Sequence, residues 1–152
     1  MRLTDNWFNG LAESEAGQTA HLHVRDELEE FRATGKYRFV IEIAYPFDGE
    51  GIEPLDTDTA QIEAVDELLQ TAMERDKMAI LAASILEPGR KVWLYVSRTY
   101  DPFFDRLEEV LAELPLLPLQ FEVVQDSDWS YYQELLDKLQ PLSNKPPIIA
   151  IR

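Results

Sequence analysis

The chain of 152 residues contains no cysteine. Disulfides, thiolate metal sites and cysteine nucleophiles are thereby excluded. Histidine is almost as scarce, at two residues, and the six glycines form no phosphate-cradling loop. Cationic side chains are also few: 14 Lys and Arg stand against 29 Asp and Glu, a formal net charge of -15. Such a chain cannot neutralise many phosphates, so direct nucleic-acid binding and adhesion to anionic membranes are not expected. Long apolar runs are missing too. No stretch approaches the roughly 20 apolar residues of a membrane span. The segment Met1-Arg2-Leu3-Thr4-Asp5-Asn6-Trp7 has no apolar core of signal-peptide length. The cytoplasm is the expected location.

What is present is a core. Hydrophobic residues make up 45% of the chain, enough to bury a real interior. The length suits one domain, 1–152. Its expected parts are an irregular segment 1–18, a core 19–140 and a tail 141–152. The charge is uneven: residues 1–76 carry 18 of the 29 acidic side chains and only 6 of the 14 basic ones.

Period-two alternation marks strands. Ala20, Leu22 and Val24 alternate with His21, His23 and Arg25. In the stretch from Tyr37 to Phe47, Tyr37, Phe39, Ile41, Ile43 and Tyr45 share a face. Met78 to Leu86 is apolar throughout, as in a central strand. Glu87-Pro88-Gly89-Arg90 suits a type II turn, with Lys91 to Arg98 as the return strand. Leu119 to Val124 alternates again. Asp26 to Glu30 fits either a strand continuation or a helical turn.

Helical spacing appears three times. One helix is expected from Asp58, capped there with Gln61 as its capping-box partner. A second is expected from Asp101, with Pro102 at the first helical position. A third opens at Asp126 or Asp128 and stops at Pro141. From residue 37 the order is strand, helix, strand, strand, helix, strand. That is the split βαβ order of a ferredoxin-like α+β fold. It predicts a four-stranded antiparallel sheet with two helices on one face, plus an added N-terminal strand and C-terminal helix.

Catalytic kits are not recognisable. His21 and His23 share a strand face, a geometry metals use, but a third ligand is not marked and no metal or cofactor is expected. Asp48, Glu50, Glu53, Asp56 and Asp58 do not match the spacing of a calcium loop. Lys91-Val92-Trp93-Leu94-Tyr95 lacks the basic and glycine pattern of RNA-binding sheets.

The densest signal is Asp126-Ser127-Asp128-Trp129-Ser130-Tyr131-Tyr132, with three aromatic rings in four residues behind two carboxylates. Helical spacing puts Trp129 and Tyr132 on the apolar face with Leu136, and leaves Tyr131 pointing elsewhere. The segment resembles the closing acid-x-acid-Trp-x-Tyr-Tyr signature of a bacterial family of uncharacterised domains, domain of unknown function 695. It is also similar to regulators of ribonuclease E activity. The strand ending in Tyr45-Pro46 and the order of elements share the resemblance, which spans roughly residues 20–140. It implies a ferredoxin-like fold without known catalysis. Its regulator branch implies an acidic protein that restrains an endoribonuclease.

The expected function is therefore a non-enzymatic, acidic interaction domain that docks on a basic protein surface such as a nuclease. Asp26, Glu27, Glu29, Glu30, Asp48, Glu50, Glu53 and Asp56 are its expected partner-binding residues. One alternative is an immunity protein that neutralises a toxin nuclease. Another is a small enzyme or ligand-binding domain with its site on an open sheet face, beneath Trp93 and Tyr95. An exposed strand edge, in the N-terminal strand or at Ile148 to Ile151, would allow a homodimer.

Overall fold

A computed structural model of the chain describes residues 2–13, 18–48 and 56–143. Six strands alternate with four helices among them: β1 (Trp7–Glu13), β2 (Thr19–Arg25), α1 (Glu29–Ala33), β3 (Phe39–Pro46), α2 (Asp56–Glu74), β4 (Ala79–Glu87), β5 (Arg90–Ser97), α3 (Asp101–Leu111), β6 (Gln120–Gln125) and α4 (Ser130–Ser143). The strands form one sheet in the order β1-β2-β4-β5-β3-β6, and every neighbouring pair is antiparallel. The part β4-β5-β3-β6, with α2 and α3, has the ferredoxin-like topology that the sequence order predicts. Strands β1 and β2 extend it beyond β4.

Strand β1 falls where an irregular segment is expected. Its sequence hides it, because Trp-Phe-Asn-Gly-Leu-Ala-Glu has no clean alternation. Phe8 and Ala12 pack on one side of the sheet and Trp7 on the other, so both of its faces carry apolar residues. Pairing with β2 along its whole length, from Trp7 opposite Arg25 to Glu13 opposite Thr19, holds it.

The sheet has helices on both faces. Leu22, Val24, Val40, Ile80, Leu94 and Val96 pack with Phe31 of α1 and with Tyr132, Leu135 and Leu139 of α4. Ile41, Ile43, Leu81, Trp93 and Tyr95 pack on the other side with α2 and α3. Strand β4, apolar in both directions, is central as expected. Trp93 and Tyr95 lie fully buried beneath α2 and α3, which overturns the expectation of an open groove under them. Burying a large apolar side chain contributes roughly 1.5–3 kcal/mol, so these rings are tied to the stability of that layer.

Local details depart from the sequence reading in three places, at the starts of α2 and α3 and at the end of α4, and one open choice is decided after β2. Helix α2 starts at Asp56, and Asp58 lies inside it rather than capping it. Asp58 and Gln61 instead flank the Tyr45 hydroxyl, at 2.8 and 2.5 Å. Burial, and then the Asp58 carboxylate, push that phenol up to about 12. Helix α3 has Asp101 as its first helical residue and Pro102 beside it, without a side-chain cap. The acidic stretch after β2 resolves into the short helix α1, whose Phe31 is buried. Helix α4 continues through Pro141 to Ser143, because a proline in the last turn forfeits only one helical bond. The turn between β4 and β5 is as expected, with Gly89 at φ +86°, the left-handed position a type II turn demands.

Candidate functional site

One rung of the sheet organises its surface chemistry. Asn9 lies opposite His23, His23 opposite Ser84, Ser84 opposite Trp93, Trp93 opposite Ile43, and Ile43 opposite Phe121. All six point to the face that carries α2 and α3, because registered neighbours share a face. The rung is polar at the β1 end and apolar at the β6 end. Trp93 marks the boundary, where its indole N–H donates to the Asp66 carboxylate of α2 at 2.9 Å.

At the apolar end β6 is, among the described residues, an edge strand paired only on its β3 side; the expected strand edge at Ile148 to Ile151 lies outside the described residues. Phe121 and Val123 are 44% and 38% exposed, although both belong to the apolar face. Phe121 is the outermost ring of a ladder of edge-to-face contacts that runs through Phe104 and Phe103 to the buried Tyr95, with centroids 5.3 to 5.5 Å apart. Beside it, the segment between α3 and β6 leaves a groove of about 370 Å3, lined by Leu107, Leu111, Leu114, Leu119 and Phe121 with Glu108 at its side. Leu116 stands fully exposed near it. The opposite face of β6 is also uncovered, with Glu122 exposed and directly across from Glu42.

At the polar end α2 does not cover the sheet completely. A cleft of about 350 Å3 remains between α2 and the β1-β2-β4 strands, lined by Asp5, Trp7, Asn9, His23, Asp66 and Gln70 and floored by Leu81 and Ser84. The Lys91 ammonium donates to Ser84 Oγ at 3.2 Å. Burial and then the Asp66 carboxylate act on Lys91 in opposite senses, and burial wins, holding its pKa below the usual lysine value. Burial, followed by Lys91 and His21, pushes His23 down, so its imidazole is neutral at pH 7. Among the described residues, no three His, Cys, Asp or Glu side chains gather to hold a metal ion.

Among the described residues, the expected partner-binding acids do not converge. Asp26 is half-buried and accepts the Glu27 N–H at 2.7 Å, while Glu27 is exposed and accepts from Asn6. Glu29 and Glu30 are exposed in the first turn of α1. That helix packs beside Tyr37, just before β3 begins. Asp48 is exposed just past the other end of β3, roughly 25 Å away at about 3.3 Å per residue. Glu50 and Glu53 lie outside the described residues, as does the side chain of Asp56. The described acids of that expected face, Asp26 to Glu30 and Asp48, therefore stand at the two ends of β3. Sequence distance gave no sign of this, because β3 itself separates the two stretches.

The aromatic motif does structural work. Trp129 is 1% exposed and Tyr132 is 6% exposed, whereas Tyr131 reaches 37%. Asp126 caps α4: its carboxylate accepts the Ser130 and Tyr131 amides at 2.9 and 3.0 Å and the Ser130 hydroxyl. Asp128 does not cap with its side chain; its main-chain carbonyl accepts from Arg32. Trp129 is not on the helical stripe but one residue ahead of it, at φ +59°.

The sequence reading missed Asn9, Asp66, Gln70 and Ser84 at the polar end and the groove at the apolar end. Two signals were present. Ser84 interrupts an otherwise apolar central strand, and Lys91 shares by alternation the inward face of Trp93 and Tyr95.

Among the described residues, no helix is long and apolar enough to cross a membrane. No curated protein and no solved structure matches the chain. The model of a family of unknown function, DUF695, matches residues 5–136, nearly the whole of the described core, and the chain belongs to that family.

Proposed function

We propose that the chain is an acidic protein-binding module that takes up an extended basic segment of a partner along the free edge of β6. The observation behind this reading is the alternation on that edge. Phe121 and Val123 present apolar surface on one face, and Glu122 presents charge on the other. A strand added to β6 would satisfy its unpaired N–H and C=O groups. Residues opposite Phe121 and Val123 would be apolar and would reach the leucine-lined groove. The residue opposite Glu122 would be Lys or Arg. Glu42, directly across from Glu122, is paired with Arg90 at 3.7 Å, and a cation placed beside Glu122 would make a favourable cross-strand pair of its own. Asp105, Glu108, Glu109 and Glu113, all exposed on or after α3, extend the negative field around the groove. Edge strands are usually blunted by lysine, proline or a covering loop, and among the described residues β6 carries only Glu122 in that role.

The similarity to regulators of ribonuclease E activity points the search for a partner to RNA-cleaving enzymes, whose substrate-facing surfaces are basic by necessity. Binding rather than catalysis is the action proposed.

A synthetic peptide of alternating valine and lysine is the direct probe. Binding should fall as salt rises, and should be lost when alternate residues are replaced by proline, which cannot complete the ladder. Phe121→Ser should weaken it about tenfold or more, and Glu122→Lys should invert the preference toward acidic peptides. Binding that survives both the proline peptide and Phe121→Ser would show mere electrostatic adhesion and would sink the proposal. Capture from lysate with the wild type and with Glu122→Lys in parallel would then separate an endogenous nuclease from a toxin.

A further inference from the structure

We infer that the cleft at the polar end of the sheet, between α2 and strands β1 and β2, is a binding site for a small uncharged polyhydroxylated molecule, a sugar. It lies at the far end of the rung from β6 and stands independently of the docking edge.

Asn9 Oδ1 is buried and has no hydrogen-bond partner among the described residues. An orphaned buried acceptor keeps its full desolvation penalty, so a leucine there would be more favourable for folding alone. Asn9 lines the cleft, and a ligand hydroxyl is the group that would satisfy it.

The remaining groups are mixed in a way that selects the ligand. Asp5 and Asp66 are acceptors, each oriented by an indole: Trp7 Nε1–H donates to Asp5 at 2.7 Å and Trp93 Nε1–H to Asp66 at 2.9 Å. An ionised carboxylate has about four acceptor positions, so both can still accept from a ligand. Gln70 lines the wall from α2. Its amide donates to Glu74 in the next turn at 3.3 Å, which leaves its carbonyl as an acceptor. Ser84 Oγ accepts from Lys91, and its own proton is left to donate. His23, neutral, offers one donor and one acceptor.

An anion needs donors, and two carboxylates in the cleft oppose it. A cation could use the acceptors, but it would leave the Ser84 and His23 donors unmet, and the Lys91 ammonium stands behind Ser84, 3.2 Å from its Oγ. A hydroxyl both donates and accepts, so a ring bearing several of them fits the alternation of partners. Trp7, covered on one side by the Arg25 guanidinium 5.1 Å from its centroid, supplies an aromatic wall for the C–H face of such a ring. The volume of about 350 Å3 lies within the range of about 300–1,000 Å3 usual for small-ligand sites.

The test is saturation-transfer NMR on the full chain. The probes are the methyl glycosides of glucose, galactose and mannose, and free ribose, with inorganic phosphate and spermidine as charged alternatives. At least one neutral sugar should receive saturation. Its affinity should fall about tenfold or more in Gln70→Ala, on the accessible flank of α2, and in Asn9→Leu. Asn9→Leu should at the same time raise the melting temperature, an outcome that a purely structural Asn9 would not give. Absence of transfer to every sugar, tighter binding of phosphate or spermidine, or affinity unchanged in both variants would overturn the inference.

Discussion

The indole N–H of Trp129 donates to the main-chain carbonyl of Tyr37 at 2.8 Å, joining positions 92 residues apart in a fully buried setting. The two rings meet edge to face at 6.4 Å. Trp129→Phe keeps most of the ring and removes the donor, leaving the Tyr37 carbonyl unpaired. A loss of about 1–3 kcal/mol follows from that orphaned acceptor. Trp129→Ala adds a cavity and should cost about 3–5 kcal/mol. Urea unfolding of both variants checks this. A Phe variant as stable as the wild type would mean the bond contributes nothing net.

Arg25 and Glu74 form a buried ion pair at 2.6 Å, with side chains 4% and 13% exposed. Arg25 also donates to the carbonyls of Thr4 and Leu81, and Glu74 accepts the Leu81 N–H at 2.8 Å. The pair thus ties β2, α2 and β4 together. Removing one partner strands the other charge, so Glu74→Gln should cost about 3 kcal/mol or more. The double change Arg25→Met with Glu74→Leu should cost less than the two single changes added together. A double-mutant cycle measured by denaturant unfolding reads the coupling directly, and additive losses would refute it.

Gly10 is a packing glycine. A Cβ built there would stand 2.2 Å from Leu139 Cδ2 of α4, which shares the core on that face. Because the obstacle is the end of a side chain, it can rotate, and Gly10→Ala should cost about 1–3 kcal/mol rather than prevent folding. Leu139→Ala in the same chain should remove the clash, so the double variant should be more stable than Leu139→Ala alone plus the Gly10→Ala penalty.

Two carboxylates set the acid limb of stability. Burial alone would raise the Asp126 carboxyl. The Ser130 hydroxyl, the Tyr131 and Ser130 amides and nearby Arg32 outweigh it and hold it below the ordinary 3.8. Asp76 is held at about 2, first by hydrogen bonds from Arg106. A depressed folded value means the stabilisation is whole above the unfolded carboxylate value and is lost as pH falls through the folded one. Asp126→Asn keeps one acceptor oxygen of the cap and loses the other, so it should cost about 1 kcal/mol at pH 7 and less at pH 2. Asp76 is half exposed, so Asp76→Asn should cost under about 1 kcal/mol at pH 7. Urea midpoints at the two pH values test both. A penalty for Asp126→Asn that stays constant with pH would show that its charge is irrelevant.

The ferredoxin-like order was legible because strands and helices have different periods and each segment from Tyr37 onward kept to one. The roles of Trp129, Tyr132 and Tyr131 were legible from spacing in outcome, although Trp129 is buried from a left-handed position that no periodicity encodes. Strand β1 was hidden because both of its faces bear apolar side chains. The acidic stretches were visible as composition but not as geometry.

By itself the sequence determined the α+β class, the central place of β4, the turn at Gly89 and the strong negative charge. These depend on local alternation, local backbone preference and simple counting. Only the tertiary structure decided that helices cover both faces of the sheet, that Asp48 stands apart from the acids after β2, and that Asn9, His23 and Ser84 share a single rung with Phe121. Those facts depend on strand order and register, which join residues far apart in the chain and leave no mark at any one position.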